Sequence, residues 1–202
     1  APVFKVIADP FVGQVSLLKV LSGTIRNDDH LVNSRTGADE RLHGLFVVRG
    51  KDHDPVDELA AGDIGGVAKL AGTATGDTLA PKGPPVRVPA IDHPAPVLST
   101  AVVPVTKADD TKLATALHRL VEEDPALVVE RNEDTGQTVI SGTGEMHLAI
   151  AVERLRRKFG VQVDTEPVQV AYRETISAPV IGFTYTHKKQ SGGHGQYAQI
   201  TL

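Results

Sequence analysis

The chain contains no cysteine. Disulfide scaffolds and cysteine-ligated metal centres are therefore excluded, and a reducing, cytoplasmic setting fits. Aromatic residues make up only 4% of the sequence, so its cores have to be built mainly from Val, Leu, Ile and Ala. No apolar run reaches the roughly 18 to 20 residues that span a bilayer, and no membrane partner is expected. Ala1-Pro2-Val3-Phe4-Lys5 has none of the layout of a signal peptide. It reads as the start of a strand, as though the chain were entered mid-protein.

What is present suits two small domains, or two and a part: 202 residues, 41% of them hydrophobic. The net charge of −4 argues against a simple nucleic-acid binder. Its distribution is uneven, however. From Ala151 onward, Arg154, Arg156, Arg157, Lys158, Arg173, Lys188 and Lys189 outnumber Glu153, Asp164, Glu166 and Glu174. The acidic excess lies upstream, and the C-terminal quarter is the part suited to face phosphates.

Residues 1–80 read as β throughout. Strands are expected at Phe4–Ala8, Gly13–Val20, Arg41–Val48 and Asp63–Leu70, separated by Gly- and Asp-rich turns. Many short strands so punctuated predict a small closed barrel. Residues 81–97 hold six prolines, Pro81, Pro84, Pro85, Pro89, Pro94 and Pro96, and predict a semi-rigid linker. Residues 98–166 have another rhythm: strand Leu98–Thr106, a helix opened by Asp109 and Asp110, hairpin strands Leu127–Arg131 and Gln137–Ser141, a second helix after Gly144, and strand Val161–Thr165. This β-α-β-β-α-β order predicts a ferredoxin-like sandwich. From residue 167 to 202 a further α+β unit begins, with strands expected at Val168–Ile176 and Val180–Tyr185, a loop Lys188–Gly195, and a strand opening at Tyr197. A domain that stops inside an opening strand is expected to be truncated. The fold class is thus multi-domain β and α+β.

Gly142-Thr143-Gly144, between strand and helix with Asp164 downstream, resembles half of a dinucleotide fingerprint. His147 stands where the third glycine belongs, and the hairpin makes the preceding strand antiparallel. A strand-to-helix turn is the plainer reading, with Glu145 in the first helical turn and His147 packing or capping. Gly50-Lys51 has the wrong spacing and surroundings for a P-loop, and no other stretch offers one, so no catalytic role is expected within these residues. Asp52-His53-Asp54 reads as a solvated loop and not a metal site, and Glu122-Glu123-Asp124 as the solvated acidic end of a helix. The basic loop is the best binding candidate. Lys188 and Lys189 supply charge, Gly192 and Gly193 allow close backbone approach, Gln190 and Ser191 add hydrogen bonds, and Tyr197 offers a stacking face.

Lys189-Gln190-Ser191-Gly192-Gly193-x-Gly195-Gln196-Tyr197 resembles the signature of the fourth domain of bacterial elongation factor G. Phe4-Lys5-Val6, Asp9–Gly13, Ser22-Gly23-Thr24 and Thr75–Leu79 are similar to its second domain. Leu117-x-x-Leu120 with Glu123-Asp124-Pro125, Ser141–Leu148 and Val170–Ile176 are similar to its third domain and the entry to the fourth. The motifs follow family order over essentially the whole chain. The resemblance implies a ribosome-binding fragment of a monomeric GTPase that promotes tRNA–mRNA translocation. Its partners would be ribosomal RNA and proteins, and also its own GTPase domain, expected before Ala1. GTP and magnesium would belong to the full-length factor, and no cofactor to residues 1–202. Gly142, Gly144, Glu145 and His147 become candidates for an interdomain contact. Thr143 and Met146 stand where the family more often has Met and Leu. They keep open a ribosomal-protection or elongation-factor-G-like paralogue.

Overall fold

Short stretches of alternating inward and outward residues set the first half of the molecule. In the computed structural model, every residue is described except Pro10, Phe11, Ala71, Pro85, Ile176, Val180, Ser191, His194 and Leu202. The chain divides into two units, Ala1–Gln169 and Val170–Leu202.

Ten strands open the first unit: β1 (Val3–Asp9), β2 (Gly13–Lys19), β3 (Thr24–Arg26), β4 (His30–Asn33), β5 (Asp39–Arg41), β6 (Phe46–Arg49), β7 (Asp52–Pro55), β8 (Glu58–Ala60), β9 (Ile64–Ala68) and β10 (Leu79–Ala80). They form a barrel-like body of three sheets, ordered β1-β2-β9-β6-β7, β10-β4-β5 and β3-β8, and among the described residues no ladder closes these into the single barrel expected. Val3, Val6 and Leu18 from the first sheet, Leu31 and Leu79 from the second, and Ile25 and Leu59 from the third meet in one core. A bulge between Val3 and Lys5 lets Val3 and Val6 both face it, although a regular strand would send residues three apart to opposite sides. Loop hydrogen bonds extend the ladders and tie the strands together. Val20 donates to the carbonyl of Asp63, Asp28 to that of Leu42, and Leu79 to that of Ala1.

Two expectations here need correction. The run Arg41–Val48 is divided, because β5 ends at Arg41 and β6 starts at Phe46. The break lets Leu42 and Leu45, also three apart, both be buried. Asp52-His53-Asp54 is not a loop but part of β7, an edge strand paired to β6. His53 stacks on Phe46 with ring centroids 4.3 Å apart, and Arg49 pairs with Asp54.

A polar network lies under this core. The carboxylate of Asp77 accepts from Arg35 Nε at 2.5 Å, Asn33 Nδ2 at 2.8 Å and the backbone N–H of Ala74 at 2.8 Å. Glu40 accepts from Gly72 N–H and Thr73 Oγ1. Burial pushes the Asp77 carboxyl up, but Arg35, Ala74 N–H and Asn33 together outweigh it and hold it below the usual aspartate value.

From Pro81 to Val97 the described residues form neither helix nor strand. The segment is nonetheless tied to the barrel. Ser34 Oγ donates to the carbonyl of Val86 at 2.6 Å, and Val88 N–H donates to Thr78 Oγ1 at 3.0 Å.

β11 (Leu98–Pro104), α1 (Lys107–Glu123), β12 (Val128–Arg131), β13 (Thr138–Gly142), α2 (Glu145–Phe159) and β14 (Val163–Glu166) follow. The sheet order β12-β13-β11-β14, antiparallel throughout, is that of the ferredoxin-like sandwich. Thr106 caps α1 by accepting from Asp109 N–H, and its hydroxyl donates back to the Asp109 carboxylate. That carboxylate also accepts from Gln162 N–H at the entry to β14. The bond from Thr106, then the one from Gln162, hold the Asp109 carboxyl below its ordinary value. Leu113, Leu117 and Leu120 of α1 meet Leu148 and Leu155 of α2 over Ile140.

In the second unit, β15 (Thr184–Lys189) and β16 (Gln196–Thr201) form an antiparallel hairpin. The strand expected at Val168–Ile176 is absent from its described residues 168–175, which join no sheet and are exposed. The next strand, expected at Val180–Tyr185, begins only at Thr184, and Ile176 and Val180 lie outside the described residues.

Replacing Asp77 by Ala strands Arg35 and Asn33 and should lower barrel stability by about 2–3 kcal/mol in urea denaturation. The lowered folded pKa of Asp77 means its stabilisation is complete above the ordinary aspartate pKa, near 4, and is lost as pH falls through the folded value. An Asp77→Asn variant should therefore lose less stability on acidification than the parent chain. Equal acid dependence in the two would remove this role.

Candidate functional site

Glu122, Glu123 and Asp124 close α1, and the expectation that all three are solvated holds for only part of the run. The Glu123 carboxylate, 8% exposed, accepts from the backbone N–H of Ala8 on β1 at 2.6 Å and pairs with Lys158 on α2. A single carboxylate thus ties the first sheet to both helices of the sandwich. Asp124 is engaged next to it. It accepts from Ala126 N–H at 3.2 Å and from His147 Nε2 at 2.9 Å. Glu122 stays at the surface, beside His118.

The bond from Thr143 fixes which nitrogen of His147 accepts. Its Nδ1 lies 3.0 Å from the N–H of Thr143, which can only donate. Nδ1 therefore accepts, and Nε2 carries the proton that is donated to Asp124. The imidazole bridges the turn before α2 to the end of α1. Gly142 makes room for it, since a Cβ there would lie 2.7 Å from His147 Nδ1 and 3.1 Å from Leu148 Cδ2. Gly144 is the N-cap residue of α2, and Glu145 is exposed in the first turn. Of the four interdomain candidates, Gly142 and His147 are in contact. Glu145 stands apart from that contact, and Gly144 shapes only the turn. The antiparallel pairing of β12 with β13 removes the dinucleotide reading, which needs a parallel unit.

The Glu123–Ala8–Lys158 junction is not legible in the sequence. Its partners are 115 and 35 residues away from Glu123, and one of them is a backbone amide, which no motif marks.

In the second unit, Lys188 and Lys189 are not in a loop, as expected, but are the last two residues of β15. Lys188 lies opposite Tyr197 and Lys189 opposite Gln196. Successive strand residues point to opposite faces, so the two ammonium groups serve different faces of the ribbon. One face carries Thr186, Lys188, Tyr197 and Gln199, with Tyr197 OH donating to Gln199 Oε1 at 3.1 Å. The other carries Tyr185, His187, Lys189, Gln196 and Ile200. Gly192 and Gly193, both at positive φ near 70°, turn the tip after Gln190. Ser191 lies outside the described residues.

Gly142→Ala should cost about 1–3 kcal/mol by thermal denaturation, because the ring it displaces is held at both nitrogens. A cost below about 0.5 kcal/mol would show that His147 moves aside freely.

Three family descriptions match along the chain. "Elongation factor G domain 2" covers residues 1–82, "Elongation Factor G, domain III" residues 93–167, and "Elongation factor G, domain IV" residues 168–202. An elongation factor G of Jannaschia sp. (strain CCS1) is 45% identical over 199 residues, which cover 98% of this chain and 28% of the relative. A crystal structure from Thermus thermophilus superimposes with a TM-score of 0.79 at 40% identity, covering 99% of this chain and 30% of that one. The chain therefore spans under a third of the length of these relatives.

Proposed function

The chain belongs to the elongation factor G family, and from that premise we propose that residues 1–202 are the ribosome-binding middle of a factor that moves tRNA and mRNA during protein synthesis. The observation that supports this is the order of the matches: a domain 2, a domain III and a domain IV run through one chain without a gap larger than the linker region. No stretch of residues 1–202 has the spacing of a P-loop. GTP and its magnesium ion would then be held by another part of the full-length factor, and the barrel and sandwich would position domain IV relative to it.

The geometry suggests how domain IV meets RNA. Lys188 beside Tyr197 offers a cation and an aromatic face on one side of the ribbon, suited to a phosphate and an unstacked base. Lys189 offers a second phosphate contact on the other side. His147 and Gly142 would shape the surface toward the GTPase domain, holding the start of α2 against the end of α1.

Because the two lysines face opposite ways, their replacements should act independently. In the full-length factor, Lys188→Ala and Lys189→Ala should each weaken ribosome binding, and the double variant should lower the salt slope of binding by about two. Translocation rates at raised salt provide the second readout. Rates unchanged in the double variant would overturn the role of this ribbon. Purified residues 1–202 should hydrolyse no GTP above background, and turnover by this chain would contradict the assignment.

A further inference from the structure

Where β1 meets the ends of α1 and α2 there is a cleft of about 430 Å³. Lys5 lines it from β1, Glu123 and Asp124 from the end of α1, and Arg154 and Lys158 from α2. Three cations face two carboxylates. Both carboxylates are already satisfied: Glu123 by Ala8 N–H and Lys158, and Asp124 by His147 Nε2 and Ala126 N–H. The side chains of Lys5 and Arg154 have no hydrogen-bonded or ionic partner among the described residues. His147 is bonded to Asp124 and is not among the residues that line the cleft. Arg154 and Lys158 are four apart on α2 and so share a helix face, while Lys5 approaches from the other body.

We propose that this cleft binds a backbone phosphate of RNA, with Lys5 and Arg154 as its free cations and Lys158 shared with Glu123. The charge balance favours this ligand. A surplus of one positive charge matches a singly charged phosphodiester, whereas a dianionic phosphate monoester would exceed it. The guanidinium of Arg154 can meet the two free oxygens as a fork, and the ammonium of Lys5 can meet one of them as a point charge. The proposal rests on the reading that this part of the chain faces ribosomal RNA. It adds a contact that belongs to the junction of barrel and sandwich, separate from the hairpin of the second unit.

The test is the binding of residues 1–202 to an RNA duplex with only phosphodiester groups, followed by anisotropy across a salt series. Lys5→Ala with Arg154→Ala should weaken binding and reduce the log–log salt slope by about two, roughly one for each cation. Both side chains are exposed, so the melting temperature should not change. If the alanine pair fails to fold, Lys5→Gln with Arg154→Gln removes the same charges at nearly the same volume. Inorganic phosphate, titrated alone, should shift the Ala8 amide resonance only weakly and should not displace the RNA at equal concentration.

An unchanged slope in the variant, with the parent chain still binding RNA, would overturn the cleft and leave the RNA-facing reading intact. No RNA binding by the parent chain at low salt would overturn both. Strong phosphate binding that the RNA does not compete with would also overturn the proposal, since the site would then serve a free anion.

Discussion

One buried carboxylate holds the larger unit together. Glu123 sits where β1, α1 and α2 meet, and it receives one neutral donor and one charged one. A carboxylate this enclosed would be costly if unpartnered. Its two donors come from separate bodies, so the barrel and the sandwich each supply half of its satisfaction. Neither body can leave without stranding a donor or a charge on the other. Each body also has its own core with its own set of aliphatic residues.

The next residue extends the same logic inward. Asp124 stops α1 and holds His147, and His147 shapes the turn that starts α2. Adjacent acids on one helix end thus face two ways, one toward the barrel and one toward the second helix. The rest of the polar interior follows this pattern. Asp77 with Arg35 and Asn33, and Asp109 with Thr106 and Gln162, are each carboxylates that join segments distant in sequence. With so few aromatic side chains to fill the cores, position is specified by these directional bonds, while aliphatic burial supplies the bulk of the stability.

Periodicity and punctuation make most of the architecture legible. The sandwich is readable because its helices show a 3.6-residue stripe and its hairpin a tight turn, both local signals. The barrel is only partly readable. Strands of three residues or fewer, such as β3, β8 and β10, are too short for alternation to register. The bulge in β1 and the break before β6 change which side chains face inward for reasons of packing across the core. At the hairpin, composition marks a basic, glycine-rich stretch but not its geometry. Lys188 and Lys189 are neighbours in sequence and are separated by the pleat. Glu123 reads as solvated because its partners are distant and one is a main-chain amide.

The proline-rich segment also sets a leash. Val88 is tied back to Thr78, and Val97 N–H donates to the carbonyl of Gly142. Only residues 89–96 are free to extend, and at about 3.3–3.6 Å each they reach no further than roughly 30 Å. Were the Glu123 junction to open, the two bodies would stay within that radius, at an effective mutual concentration on the order of millimolar. Reclosure is then a local search and not a chance encounter, and a junction of modest strength suffices to be closed most of the time.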